Sequence, residues 1–416
     1  MTVSNPLTAR LTDPGVTAVA ALLAPGIPEP LLALGTELGA RVTTAYAIQV
    51  TWWPGRGITV RYQAKLDGGA MPGEHQLVAV AGDIPDGALI VEGVSGARVG
   101  LWRVPFDPQL PGLASALDPG TTGALMDHLG LRAGKVHAKL RAYRPGQRAV
   151  VEVTRPSGSV YLKVVPPDQA QRLHRTHQLL VGHLPVPPSL GYSPDLGIIV
   201  LQAMAGTTLR EKLVSRGPLP SPVALEALLK ALPVTDRKAS SPVTRVPRLA
   251  ELLSALLPEQ ASMIQEIVDE IGPESMPVTG PVHGDFYEAQ VIVARNRVAG
   301  VLDFDTFGMG RAADDPATMI GHLAVLAQAR SNPRIRQFAN GFLGRADSGL
   351  DPVDLRRRTA AVIMSLATGP FRVQRPNWPD ATRDRLDLVR RWLESARRVE
   401  GRPISVSGRS PSLAAT

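Results

Sequence analysis

The sequence predicts an α+β protein, and three observations predict it. Short apolar runs bounded by Gly, Pro and Asp dominate the chain up to about residue 165. Amphipathic spacing at three and four residues dominates from Pro218 onward. A single hairpin pattern between Pro281 and Asp305 interrupts that helical part. Runs of strands followed by runs of helices specify segregated layers rather than alternating βα units. At 416 residues, two or three units are expected. The composition shifts predict a small α+β domain over 1–120, a sheet segment over 121–205, a helical segment over 206–400 and a disordered polar tail over 401–416.

The bulk properties exclude several classes. An apolar fraction of 44% suits a globular core. No apolar run approaches the ~20 residues of a membrane span, and the first residues lack a basic start with a greasy core, so neither a membrane partner nor a signal peptide is expected. There are no cysteines, which removes disulfides and thiolate chemistry, and a cytoplasmic location is the expectation. The net charge of +8 is scattered, with Arg356-Arg357-Arg358 the one true basic run, and aromatics are only 4%. A solvated, mildly basic surface is therefore expected, with no nucleic-acid partner.

In the first 120 residues a helical start leads into strand-like runs, with Trp53-Pro54-Gly55-Arg56-Gly57 as a hairpin turn. Trp52 and Trp53 read as packing residues. A second group of three strands, VHAKLRAY, AVVEVT and VYLKVV, turns at Arg144-Pro145-Gly146-Gln147 and at Pro156-Ser157-Gly158. Lys163 sits inside the third of these with apolar neighbours on both sides. It is either a snorkelling edge lysine or a phosphate-binding lysine on the third strand of a small sheet. The two Pro-Gly turns echo each other. Similar hairpin chemistry accounts for that, with a partial duplication of the sheet as the alternative.

The segment PVHGDFYEAQVIVARNRVAGVLDFD concentrates the candidate chemistry. Asp285 follows a His-Gly pair, Gln290 lies five residues on, and Asp303 ends a short apolar run. The runs Val291–Val293 and Val298–Leu302 form two strands around Arg295-Asn296, a hairpin that returns Asp303 beside Asp285 and Gln290. A candidate base, a metal-binding amide and a metal-binding carboxylate are the set that phosphoryl transfer from ATP requires, since its catalysis is mostly positioning and charge neutralisation.

The lysine-bearing strands, the VLQAMAG crossing segment (200–206) and HGD…Q…DFD, taken together, resemble the aminoglycoside phosphotransferase and choline kinase-like family over about residues 130–395. The resemblance implies a bilobal protein-kinase-like fold, a small antiparallel-sheet N-lobe and a helical C-lobe, here preceded by a small α+β N-terminal domain. It implies ATP and Mg²⁺ as cofactors and a small-molecule hydroxyl as acceptor. By position, Asp285 would orient the acceptor hydroxyl, and Gln290 and Asp303 would hold Mg²⁺. Lys163 would meet the α and β phosphates, and the backbone around Gln202 and Met204 the adenine. His283 would orient the loop, Asp305 would stand behind the metal ligands, and Asp315 would brace the loop from below.

This chain departs from the family pattern in three places. Gln290 stands where Asn is usual, helix 170–180 holds no glutamate for the lysine, and the 144–147 turn has a single Gly. The N-terminal domain and Gln290 resemble the arrangement of maltokinase and glucosamine-kinase-like proteins. Arg330, Arg372 and Arg375 near the helical segment point away from a cationic aminoglycoside and toward a sugar or other polar metabolite. Trp378 would either stack on a sugar ring or anchor the last helix. Two alternatives stand beside the kinase. One is a pseudokinase, for which the missing glutamate speaks. The other is a haloacid-dehalogenase-like phosphatase, for which VLDFDT supplies two Asp but places Phe307 where Thr or Val belongs.

Overall fold

The computed structural model describes residues 7–93, 96–132 and 134–401, so the predicted tail lies outside the described residues except for Gly401. The chain forms two compact units. One comprises Met1–His174, Ser189–Ala203 and Gly369–Pro379, the other Arg175–Pro188, Met204–Thr368 and Asp380–Thr416.

In the first unit, helices α1 (Ala18–Leu22) and α2 (Glu29–Glu37) precede strands β1 (Ala40–Trp53), β2 (Gly57–Gly68), β3 (Gly73–Ala81), β4 (Leu89–Glu92) and β5 (Arg98–Arg103). These strands make an antiparallel sheet in the order β1-β2-β3-β5-β4. Period-2 alternation along β2 buries Ile58, Val60, Tyr62, Ala64 and Leu66. Helices α3 (Gly112–Leu117) and α4 (Pro119–His128) then precede β6 (His137–Arg144), β7 (Arg148–Arg155), β8 (Gly158–Val164), β9 (Ser189–Ser193) and β10 (Ile198–Gln202). Their order, β6-β7-β8-β10-β9, repeats that of the first sheet. Helix α5 (Pro167–Val181) connects β8 to β9. Two helices followed by a five-stranded antiparallel sheet thus occur twice. The register equates Val80, paired with Thr59 and Gly100, with Lys163, paired with Val150 and Ile199.

The two sheets share a core. Val78, Val80 and Trp102 of the first cluster with Leu110, Leu113, Val136, Tyr143 and Val151 of the second half. Trp52 is buried as expected, and the segment containing helix α13 (Gly369–Arg372) packs beside it. Phe371 lies 6.4 Å from Trp52 and 5.2 Å from Trp378, whose indole N–H donates to Thr8 Oγ1 at 2.9 Å. Trp378 is fully buried. It is an anchor at the start of the last helix rather than a face for a sugar.

After Arg175–Pro188, which holds the end of α5, the second unit contains β11 (Thr207–Thr208) and helices α6 (Leu209–Val214), α7 (Pro222–Lys230), α8 (Val246–Leu256) and α9 (Ala261–Ile271). Strands β12 (Gly280–Val282), β13 (Val291–Ala294), β14 (Arg297–Val301) and β15 (Gly308–Gly310) follow, and then helices α10 (Asp314–Arg330), α11 (Pro333–Asp347) and α12 (Pro352–Ala367). Helix α14 (Trp378–Glu400) supplies the last apolar stripe, including Leu386, Val389 and Leu393. The basic run 356–358 is not a solvated patch. Arg356 and Arg358 have about 1% of their side chains exposed, and both are ion-paired to carboxylates. Among the described residues no helix is long and apolar enough to cross a membrane. The architecture is the predicted α+β mixture of antiparallel sheets and helices.

Candidate active site

The 281–305 hairpin forms as its alternation and turn residues predict. Strands β13 and β14 pair antiparallel from Val291↔Val301 to Ala294↔Arg297, with Arg295 in the left-handed region at the turn. Strand β11 adds to β13, while β12 pairs with β15, so the loop 283–290 is held at both ends by short ladders. The Leu302 N–H donates to the Gln290 carbonyl at 2.8 Å and closes the base of the hairpin.

The loop itself is fixed by side chains. Asp315, in the first turn of α10, accepts the backbone N–H of His283 through Oδ2 at 2.6 Å and that of Gly284 through Oδ1 at 2.8 Å. Burial pushes the Asp315 carboxyl up to about 7; the two N–H donors pull the other way, and the Asp314 and Asp285 charges add to the rise. Gly284 has φ +82°, and a Cβ there would stand 2.6 Å from the Thr306 carbonyl oxygen, so only glycine fits.

His283 ties the loop to the end of the hairpin. Its Nε2 lies 2.8 Å from the Leu302 carbonyl and must donate, while Nδ1 accepts the Asp285 backbone N–H at 3.2 Å. These partners select the neutral Nε2–H tautomer. The ring packs on Phe304 at 4.4 Å and near Phe286 at 5.9 Å, which places the apolar residue of DFD beneath the loop. Asp285 is thereby presented from a loop whose backbone has little freedom.

Across the hairpin, the Gln290 Nε2 donates to Asp303 Oδ2 at 3.2 Å and approaches the Tyr287 hydroxyl at 3.4 Å. Asp303 adopts a left-handed conformation, φ 65° and ψ 62°, unusual for a residue other than glycine and a form of backbone strain found at functional sites. Asp305 lies one turn on, its carbonyl accepting from Arg237 at 3.1 Å. Met204 packs over β14, where a Cβ on Gly300 would meet its Cε at 2.8 Å. Hence His283, Asp285, Gln290, Asp303, Asp305, Asp315 and Met204 all belong to the second unit.

Lys163 and Gln202 belong to the first unit. Lys163 is 6% exposed on central strand β8, so it is not an edge lysine. Gln202 is exposed at the end of β10 opposite Val160. Glu152, on the face of the sheet that carries Lys163, accepts Arg141 Nε at 2.7 Å and Tyr161 OH at 3.5 Å.

The phosphotransferase enzyme family (APH) matches residues 139–355 of the 416. The chain belongs to that family. No match was found among curated protein sequences. Solved structures similar to this phosphotransferase-family chain include APH(4)-Ia, as a thermostable mutant in a ternary complex with ADP and hygromycin B. That chain is 14% identical, with 67% of this chain and 98% of that chain covered and a TM-score of 0.44. Others are the gentamicin–APH(2")-IIa complex (14%, 67% and 96% covered, TM-score 0.43) and the macrolide 2'-phosphotransferase MphH from Brachybacterium faecium (17%, 64% and 98% covered, TM-score 0.38).

Two residues of this phosphotransferase-family loop, Tyr287 and Glu288, and two partners outside it, Arg210 and His322, carried no assignment from sequence. Glu288 is fully buried and paired to Arg210 at 2.8 Å; burial pushes its carboxyl up and Arg210 opposes the rise. The Arg210 guanidinium also lies over the Tyr287 ring at 5.7 Å, and His322 of α10 stacks on that ring at 4.0 Å. Burial pushes the Tyr287 phenol up, and the charges of Asp285 and Asp303 add to that rise against Arg210. The hydroxyl of Tyr287 is therefore within electrostatic reach of both acids. A charged residue next to an aromatic inside HGDFYEAQ was the available signal, since a buried glutamate needs a partner.

Proposed function

We propose that the protein is an ATP-dependent O-phosphotransferase that moves the γ-phosphate to a hydroxyl of a small molecule, with Mg²⁺ as the metal. Family membership supports phosphoryl transfer. The observation that carries the finer reading is the approach of Gln290 to Asp303 at 3.2 Å across a hairpin whose entry loop presents Asp285.

The donor set suits Mg²⁺. Asp303 and the Gln290 amide are hard oxygen donors, and this ion commonly takes one or two protein oxygens and completes its shell with phosphate and water. A half-turn of the amide would exchange its N and O and direct Oε1 to a cation beside Asp303. Among the described residues no cluster of three or more His, Asp or Glu side chains converges as a self-sufficient metal site. Bound there, Mg²⁺ would neutralise phosphate charge as it moves to the leaving oxygen.

The chain's own groups do the remaining work in this reading. Asp285 orients the acceptor hydroxyl and takes its proton as the new O–P bond forms and the bond from the γ-phosphorus to ADP breaks. His283 and Asp315 hold the loop that carries Asp285. Lys163 pairs with the α and β phosphates, the backbone from Gln202 to Met204 meets the adenine, and Asp305 supports the metal ligands. The division into a 1–120 domain, a 121–205 nucleotide lobe and a 206–400 acceptor lobe belongs to the same reading. The acceptor is a sugar or other polar metabolite rather than a cationic aminoglycoside, and the compartment is the cytoplasm.

The experiment is ADP release from Mg-ATP with a panel of sugars, amino alcohols and aminoglycosides, run beside Asp285→Asn. Acceptor-dependent release, lowered about 10²-fold or more in the variant, is expected. Tight nucleotide binding without turnover on any acceptor would mark a pseudokinase, and phosphate release without an acceptor-dependent product a phosphatase.

A further inference from the structure

The repeated topology of the first unit extends to atomic detail at two hairpin turns. In the first copy, Asp13 accepts the Gly55 N–H through Oδ2 at 2.8 Å and the Trp52 indole N–H through the same oxygen at 3.0 Å. Its Oδ1 accepts the Gly15 N–H at 2.9 Å. In the second copy, Asp107 Oδ2 accepts the Gly146 N–H at 2.8 Å and the Tyr143 hydroxyl at 2.8 Å, and Oδ1 accepts the Gln109 N–H at 2.9 Å. Both carboxylates precede a proline, both turns read Pro-Gly, and both glycines have positive φ, +71° and +66°. The carbonyls of Asp13 and Asp107 each accept an N–H three residues on, from Val16 and Leu110, both at 3.1 Å.

The copies differ where the proposed nucleotide chemistry lies. The register equivalent of Lys163 is Val80, and the face that carries it is buried with Val78 and Trp102 against the second copy. The first sheet has the clamp but a valine, Val80, where the second has the lysine. In the second sheet the clamped turn and Lys163 share one end, because Lys163 pairs with Val150, two residues beyond the Arg148 that starts β7. The Gly146 N–H is already committed to Asp107, so this turn is held in one conformation instead of being left free.

Resting on the phosphotransferase reading above, we propose that Asp107 is a positioning residue for nucleotide. It holds the 144–147 turn at the end of the Lys163 sheet, whereas its counterpart Asp13 performs the same bonding in a copy without a nucleotide role. The pair supplies an internal control: Asn at either position keeps the volume but has a single acceptor oxygen, so at least one of the three donors on that carboxylate then faces an N–H₂.

The test is calorimetric titration of Mg-ADP into the full chain carrying Asp107→Asn, Asp13→Asn, Tyr143→Phe or Lys163→Ala, with thermal unfolding of each. Asp107→Asn is expected to weaken Mg-ADP about fivefold or more, while Asp13→Asn stays within about twofold of wild type despite a comparable loss of thermal stability. Tyr143→Phe, which leaves the Gly146 bond in place, serves where Asp107→Asn does not fold and should weaken binding by a smaller factor. Equal effects of the two Asp variants, or wild-type affinity in both Asp107→Asn and Tyr143→Phe, would overturn the proposal. Lys163→Ala separates the two levels. If it binds Mg-ADP as wild type does, the nucleotide reading itself fails; if it weakens binding and Asp107→Asn does not, only the positioning role is lost.

Discussion

The carboxylate of Asp315 accepts the backbone N–H of His283 at 2.6 Å, a bond between residues thirty-two apart in sequence. With the Gly284 N–H on its other oxygen, Asp315 sets the path of the chain immediately before Asp285. Asp315→Asn replaces one acceptor by an amide N–H₂ facing a donor. It should lower kcat roughly 10–100-fold through misplacement of Asp285 and leave Mg-ADP affinity close to wild type. Steady-state kinetics and nucleotide titration check this, and an unchanged kcat would contradict the bracing role.

The same residue predicts a pH dependence of stability. Its folded carboxyl is raised by burial from 3.8 to about 7. Between those values the folded protein holds more proton than the unfolded chain, so this contribution is full below the lower value and is lost as pH rises through the upper one. Urea denaturation across that window should show the wild type losing stability with rising pH relative to Asp315→Asn. A wild type that gains stability relative to the variant would refute it.

Arg358 should be a stability residue. It is buried and donates to Asp314 at 2.6 Å, to Glu274 at 2.7 and 2.8 Å, and to Asp354 at 3.1 Å. Arg358→Met leaves these acids without their cation and should cost roughly 3–5 kcal/mol, measured by denaturant midpoint. Glu274 gives the loss a pH signature. Burial raises its carboxyl, but the bonds from Arg358 and Ser241 outweigh burial and hold it down at about 2. That contribution is present above 4.5 and lost as pH falls toward about 2, and the variant should lack this acid-side loss. A denaturation midpoint equal to wild type would dismiss the role.

Tyr287 should tune the proposed metal site through Gln290. Its hydroxyl lies 3.4 Å from the Gln290 Nε2, a contact that anchors the side chain one methylene longer than Asn. Tyr287→Phe should weaken Mn²⁺ binding, followed by electron paramagnetic resonance with ADP present, by about tenfold. Asp303→Asn should weaken it more. Tight Mn²⁺ binding in Asp303→Asn would remove the metal assignment altogether, whereas a null effect confined to Tyr287→Phe would remove only the anchoring role.

Lys163→Ala should lower Mg-ADP affinity about tenfold with an unchanged circular dichroism spectrum. The lysine has 6% exposure on the central strand of a five-stranded sheet, and the backbone ladder that holds this strand does not depend on its side chain. Loss of fold rather than affinity would assign Lys163 to structure.

Much of the fold and the hairpin was legible because the determinants are local. Alternation in β2 and β7, the Pro-Gly turns and the Asp285–Gln290–Asp303 spacing operate over a few residues, within the reach of backbone periodicity and turn chemistry. The Pro-Gly echo was visible too, but the carboxylates that complete each turn stand 42 and 39 residues upstream and carry no local periodicity.

Order along the chain therefore specified the α+β layering, the strands, the turns and the identity of the phosphoryl-transfer candidates. Tertiary structure decided which charges are buried and what each one holds. Arg358 reads as part of a surface run until Glu274, 84 residues away, and Asp314, 44 away, close around it. Trp378 reads equally as a sugar platform or a helix anchor until Thr8, 370 residues away, takes its indole N–H. Burial and hydrogen bonding are set by partners that meet only when the chain is packed, and a pattern of neighbours in sequence does not encode them.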